Sequence, residues 1–301
     1  EAVLKEFLDK YAAPGKPAEK SDATIAMLAK MDKAGIKAGD AFLDLVERSV
    51  FYAALARFNC DDFPAARKSF QAFLDNYPDS KLKAEAQFLQ AQAMFREGAF
   101  ADAAAAYRRV AEGGSEFAEA AAFERGLALH KAEKLKDAAA AFANMQERFP
   151  GSARAPKARL YSGTLLFEAG DYDGAMARLA PLADSKGELA DEAAYWIGMS
   201  LLKSGRPSDA GRRFEEASQA FPKSALLGDM QLGLADANLA MNKHEAAAEA
   251  FRRYARANGR SEQAPRALYS AAVALHRVEK FEQSDEVCGE FIKAYSRSEL
   301  L

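Results

Sequence analysis

The sequence predicts an all-α fold, a solenoid of about seven stacked helical hairpins, and three regularities predict it. A bulky residue recurs as Phe63, Phe100, Leu135, Tyr172, Pro207, His244 and Phe281, in steps of 37, 35, 37, 35, 37 and 37 residues. Two columns keep its register: Ala66, Ala103, Ala138, Ala175, Ala210, Ala247 and Ser284 three positions on, then Phe70, Tyr107, Phe142, Leu179, Phe214, Phe251 and Cys288 four beyond. Nine positions before the first column stand only small side chains, Ala54, Ala91, Gly126, Gly163, Gly198, Ala235 and Ala272. Self-similarity at a near-fixed period marks units that bury a core only by stacking on their neighbours.

Each unit reads as one helix before a loop and one after it. The loops carry Gly98, Gly170, Gly205 or Asn242, residues that tolerate the left-handed backbone that ends a helix. The small columns fall where paired helices cross. A glycine within a helix costs roughly 1 kcal/mol against alanine, so Gly126, Gly163 and Gly198 need the close approach of a neighbour to account for them. Phe51, Phe88, Phe123, Leu160, Tyr195, Leu232 and Tyr269 recur at helical spacing and fill the space between successive hairpins. Hairpins end alternately in two ways. Tyr77-Pro78-Asp79-Ser80, Phe149-Pro150-Gly151-Ser152 and Phe221-Pro222-Lys223-Ser224 lie 72 residues apart, with Gly113-Gly114, Lys186-Gly187 and Asn258-Gly259 between them. Proline stops the helix, and the serine after it is placed to cap the next one.

The ends read differently. Phe7-Leu8-Asp9-Lys10-Tyr11-Ala12 matches Phe73-Leu74-Asp75-Asn76-Tyr77-Pro78, so residues 1–12 read as the end of a preceding repeat. Residues 13–46 form an irregular joint with a Pro/Gly break and a helix from Asp22 to Lys33, and residues 47–301 form the array. Glu299-Leu300-Leu301 would open another helix, and an array already running at both ends is expected to belong to a longer parent chain.

Composition narrows the job. Forty-one basic against 44 acidic residues give a net charge of −3 and no global field for phosphate, so nucleic acid is not an expected partner. No stretch reaches the roughly 20 apolar residues of a membrane span. Reactive groups do not converge. His130 and His276 stand in a column that Phe58, Phe95, Phe167, Leu202 and Leu239 fill elsewhere, and His244 replaces Phe63, so all three read as packing residues. Cys288 sits in the Phe70 column and reads as a small buried hydrophobe, with Cys60 in a loop too distant to pair with it. Ser80-x-x-Lys83 has no counterpart lysine at Ser152, Ser224 or Ser298; Asp171-x-Asp173-Gly174 lacks the distant Glu of a calcium loop; Gly113-Gly114 lacks the ending of a phosphate cradle. The reading is no enzyme, no catalytic residue, no metal and no cofactor.

The pattern Gly-x-Phe/Tyr-x-x-Ala-x-x-x-Phe/Tyr followed by Pro resembles the tetratricopeptide repeat, over about residues 47 to 301 and without the first-helix tryptophan of that family. The Tyr-Pro-x-Ser ends and Ala-rich helices are most similar to bacterial cell-envelope members of the family, such as the outer-membrane assembly lipoproteins. The resemblance implies a right-handed α-solenoid whose first helices line a concave face that grips an extended peptide or partner helix. By register that face carries Tyr52, Leu89, Glu124, Tyr161, Trp196, Gly233 and Ser270, then Leu55, Gln92, Leu127, Thr164, Met199, Asp236 and Val273. A third column reads Asn59, Arg96, Lys131, Glu168, Lys203, Ala240 and Arg277. Tyr52, Gln92, Arg96, Lys131, Tyr161, Trp196 and Lys203 are therefore the candidate partner-binding residues, rings as anchors and cations as steering charges. Tyr161 and Trp196 admit a second reading, as packing within the stack. Phe51, Phe88, Phe123 and Tyr195 occupy the position of the carboxylate-clamp lysine of chaperone-binding members, so that clamp is not expected. The implied function is a protein-binding scaffold or adaptor, periplasmic or in the cell envelope, with the cytoplasm as alternative. A structural subunit joining through its open ends, which would admit a homo-oligomer, is the other reading.

Overall fold

The computed structural model describes residues 40–185 and 187–296. The expected segment 1–12, the helix over 22–33 with most of the joint around it, and the opening of a further helix at 299–301 lie outside the described residues. Among the described residues there are fourteen helices and no strand. The chain divides into two units between Ser152 and Ala153. The first holds three hairpins: α1 (Asp40–Asn59) with α2 (Phe63–Asn76), α3 (Lys83–Arg96) with α4 (Phe100–Glu112), and α5 (Ala118–Lys131) with α6 (Leu135–Arg148). The second holds four: α7 (Ala155–Glu168) with α8 (Tyr172–Ala183), α9 (Ala190–Lys203) with α10 (Pro207–Ala220), α11 (Leu227–Ala240) with α12 (His244–Ala257), and α13 (Ala264–Arg277) with α14 (Phe281–Ala294).

One backbone device closes every hairpin. Asp61, Gly98, Glu133, Gly170, Gly205, Asn242 and Glu279 share one register and all have positive φ, from 58° to 83°. In each loop the N–H of this residue reaches back three positions and the next N–H five, as in Gly98 N to Phe95 O at 3.0 Å and Ala99 N to Met94 O at 2.9 Å. The last carbonyls of the first helix are thereby satisfied. Glycine or asparagine marks four of these loops in the sequence. At Asp61, Glu133 and Glu279 an ordinary side chain takes the strained region, at a cost of about 1 kcal/mol each.

Packing follows side-chain size. Within a hairpin one large ring of the first helix meets one of the second: Phe51 with Phe70 at 5.9 Å between centroids, Phe88 with Tyr107 at 5.7 Å, Phe123 with Phe142 at 5.3 Å and Tyr195 with Phe214 at 6.2 Å. The helical glycines lie under these second-helix residues. A Cβ on Gly126 would stand 2.6 Å from the Phe142 ring, one on Gly163 2.4 Å from Leu179 Cγ, and one on Gly198 2.5 Å from Phe214 Cε1. Phe214 is held from a second side too, because a Cβ on Gly233 of the next hairpin would come within 2.5 Å of its Cζ. First helices of neighbouring hairpins approach one another, α1 with α3, α7 with α9 and α9 with α11. They therefore form the inner layer of each unit.

The serines of the proline-type terminators do more than the sequence suggests. Ser80 Oγ accepts from Leu82 N at 2.9 Å and Ser224 Oγ from Leu226 N at 3.0 Å, which forms a turn ahead of the helix rather than a cap on its first residue. Each hydroxyl also donates to a carboxylate on the preceding first helix, Ser80 to Glu47, Ser152 to Glu119 and Ser224 to Asp191. The acids recur every 72 residues, in step with the serines, and the Ser80 and Ser224 ties each bridge a hairpin to the start of the one after it.

Two packing expectations need correction. Cys288 is exposed, not buried, and its neighbours Phe281 (53%) and Ile292 (55%) are exposed as well. Elsewhere in the Cys288 column the following hairpin covers such residues, as at Phe70 and Phe214, each 0% exposed; among the described residues none follows α14. His130 and His276 are also exposed. His276 still keeps the packing contact of its column, edge-on to Phe281 at 5.1 Å, as Phe95 is to Phe100 at 5.3 Å.

Replacing Gly198 by alanine forces the Cβ into the Phe214 ring, and it should destabilise the second unit by about 1–3 kcal/mol. Gly151→Ala, where nothing lies within 4 Å of the added carbon, should change little. Denaturant unfolding followed by far-UV circular dichroism checks both, and equal midpoints would contradict the packing account.

Candidate functional site

Each unit presents its own inner surface. In the first, α1 carries Tyr52, α3 carries Gln92 and Arg96, and α5 carries Lys131. Tyr52 is 57% exposed and stands at an open cleft of about 600 Å³ with Asp44, Glu47, Tyr77 and Ser80. Burial, then the neighbouring Glu47 charge, pushes the Tyr77 hydroxyl up. Arg96 is engaged within the array, its guanidinium 3.7 Å from Asp61 and 5.0 Å above the Phe63 ring. It braces the preceding loop. Gln92 is half-buried, and Lys131 is exposed without an ion-pair partner among the described residues. No hydrogen bond or ion pair joins these four side chains to one another.

In the second unit α7 carries Tyr161 and α9 carries Trp196 and Lys203. Trp196 is half-buried, its ring 5.0 Å from Phe167 of the preceding hairpin and 5.4 Å from Tyr195. Tyr161 is half-buried under Lys157, whose Nζ lies 5.6 Å from the ring centre. The register of Trp196 thus faces the preceding hairpin, and buried Gly233 in the same register faces Phe214. Both side chains are only half-buried.

Asp236 on α11 is the residue that sequence reasoning left out of the site. Solvent reaches its carboxylate, yet surrounding protein raises its pKa, burial being the largest cause and outweighing the lowering by Arg266 and Lys203. Burial also raises the Tyr195 hydroxyl, with Asp229 and Asp236 adding to it. Trp196, Tyr195, Lys203, Asp236 and Arg266 therefore make a surface where rings adjoin charges of both signs. A signal existed: Asp236 is the one acid in a column otherwise filled by Leu55, Gln92, Leu127, Thr164, Met199 and Val273. Among the described residues no three His, Cys, Asp or Glu side chains are grouped to hold a metal ion, and no helix is long and apolar enough to cross a membrane.

Stacked helical hairpins define the class of helical-repeat folds. A tetratricopeptide-repeat family model matches residues 53–117, and the outer membrane lipoprotein family model matches residues 188–298. The chain thus carries a segment similar to tetratricopeptide repeats and a C-terminal part similar to an outer membrane lipoprotein family. Among solved structures, the C-terminal part of a TPR repeat-containing protein from Cytophaga hutchinsonii is 13% identical, with a TM-score of 0.62 over 83% of this chain and 96% of that one. A tetratricopeptide repeat protein from Parabacteroides merdae is 15% identical, with a TM-score of 0.49 over 83% of this chain and 99% of that one. The first likeness shows the fold, a right-handed α-solenoid. No curated protein matches the chain. Tetratricopeptide repeats generally mediate contacts between proteins and generally act as scaffolds rather than catalysts.

A carboxyl group with a raised pKa in the fold stabilises most below its ordinary range, and that contribution is lost as pH rises through the raised value. Ionised Asp236 therefore weakens the second unit at neutral pH. Asp236→Asn should raise the thermal midpoint at pH 7, with the gain disappearing in acid; a lower midpoint at pH 7 would contradict the assigned direction.

Proposed function

We propose that the protein is a binding scaffold of the cell envelope whose second unit grips a partner peptide or helix on its inner layer. Asp236 carries this reading, an exposed acid that feels the charges of Lys203 and Arg266 on the surface that also holds Trp196. Retaining such a charge makes sense if a ligand uses it. Trp196 and Tyr161 would offer their rings as anchors, and Lys203 and Arg266 would orient the encounter. In the first unit Tyr52, Gln92 and Lys131 are the matching inner positions, with Arg96 bracing the loop. The lipoprotein-family match over residues 188–298 supports the envelope assignment. A photocrosslinking residue at Met199, beside Trp196, should capture a discrete partner in the envelope fraction of the source cells. Lys203→Glu combined with Asp236→Asn should cut that capture about tenfold or more while leaving the circular dichroism spectrum unchanged. Undiminished capture rejects the surface.

A second reading has a specific observation of its own. The last described hairpin exposes Tyr269 (50%), Phe281 (53%) and Ile292 (55%) together with Cys288, an apolar end where other hairpins receive a neighbour. Sedimentation should then show self-association that Phe281→Asp with Ile292→Asp abolishes, and a strictly monomeric wild-type protein rejects assembly through this end.

A further inference from the structure

A cavity of about 220 Å³ opens in the first unit between the second helices α2 and α4, with α3 and Pro78 completing its wall; Leu74, Ala106 and Val110 line it beside several polar side chains. Its chemistry is unusual for this stack. Lys83, Gln87 and Gln90 come from α3, Gln71 from α2 and Arg109 from α4. Gln90 is only 5% exposed. The same register elsewhere holds Ala53, Ser162, Ile197, Leu234 and Ala271, with Arg125 the other exception, so packing does not call for an amide here. Burying an amide is unfavourable unless its hydrogen bonds are met.

The polar groups are partly ordered and partly idle. Gln90 Nε2 donates to Gln71 Oε1 at 2.8 Å, and Gln71 Nε2 donates to Asp75 Oδ1 at 2.8 Å. That chain fixes two amides and leaves Gln90 with a further N–H and its own carbonyl oxygen. The side chains of Lys83, Arg109 and Gln87 have no hydrogen-bond or ion-pair partner among the described residues. Two unpaired cations, three amides and a volume of roughly seven waters at about 30 Å³ each describe a receptacle for one small anionic group.

The surroundings choose the anion. Asp75 at the end of the amide chain would repel a dianion such as phosphate more than a single carboxylate. The amide carbonyls can accept an N–H from the ligand, which a bare inorganic anion does not offer. We propose that this cavity binds a carboxylate carried beside an amide, the chemistry of one acidic residue, supplied either as a free acyl amino acid or by the chain of a partner. Arg109 and Lys83 would hold the carboxylate, and Gln90 and Gln87 the amide. The site is built by α2, α4 and α3 residues other than the candidate inner-layer positions Gln92 and Arg96, and it is independent of the inner-layer reading.

Two probes separate the sources: N-acetylglutamate α-amide as a free ligand, and a capped alanine-rich octapeptide with one central glutamate. Calorimetric titration of the full chain, with the side-chain amide signals of Gln71 and Gln90 followed by NMR, should show saturable binding of at least one. Binding of the free probe alone identifies a small metabolite-like ligand, and binding of the peptide identifies a partner residue. Arg109→Gln and Lys83→Gln should each weaken binding about tenfold, as loss of a hydrogen bond to a charged group implies, and the glutamine analogue of the probe should bind similarly weakly. Both substitutions replace exposed cations, and unchanged thermal midpoints verify the fold. Failure of both probes to saturate, or binding that survives both substitutions with the amide signals unmoved, overturns the site.

Discussion

A missing Cβ opposite an aromatic ring is the constraint on which the stack depends. Phe214 is fully buried because Gly198 of its own hairpin and Gly233 of the next leave room for it. Any larger residue at either place moves a helix, since packed interiors do not absorb an extra carbon cheaply. The same relation joins Gly126 to Phe142 and Gly163 to Leu179. Where the first-helix column holds Ala54 or Ala91 the rings adjust, but the order of small against large is kept. Helix spacing is thereby set from inside each hairpin, and residues facing solvent are left free to differ between repeats.

That division explains what the sequence reveals. Packing columns are legible because every hairpin solves one geometric problem, so seven copies repeat one answer. Loop closure is legible at Gly98, Gly170, Gly205 and Asn242 and hidden at Asp61, Glu133 and Glu279, where hydrogen bonding of the helix end holds an unfavourable φ that composition does not advertise. The serine ties stay hidden for a different reason. Glu47, Glu119 and Asp191 precede their serines by 33 residues, and nothing local marks an acid as a partner. Cys288 departs from its column because the column rule assumes a neighbour on both sides, and the last described hairpin has one on a single side.

The inner layer is less legible, since residues that meet a partner have no reason to recur. Trp196 and Tyr161 were visible by type, but the geometry uses much of Trp196 against Phe167 and Tyr195. Arg96 was visible by register and is bound to its own scaffold through Asp61 and Phe63. Asp236 was hidden in plain view because an acid on a helix surface is ordinary until neighbouring helices surround it. Departure from a column is thus more informative on the inner layer than agreement with one.

Partnering separates structural charges from available ones. Arg252 and Arg256 on α12 converge on Glu290 of α14 at 2.5 and 2.6 Å, with Glu286 a further 3.0 Å contact of Arg252. These bonds bring the Glu290 carboxyl down to about 2 and push the Arg252 guanidinium up. Such a cluster has met its electrostatic demand internally and holds second helices together. Lys83 and Arg109 share a cavity with no carboxylate in ion-pair reach, and Lys203 and Arg266 influence Asp236 without closing on it. With acids and bases nearly balanced over 301 residues, at a net −3, carboxylates were abundant enough to pair these cations. Their lack of partners is therefore a property of where the fold holds them, and it leaves them able to meet a charge from outside.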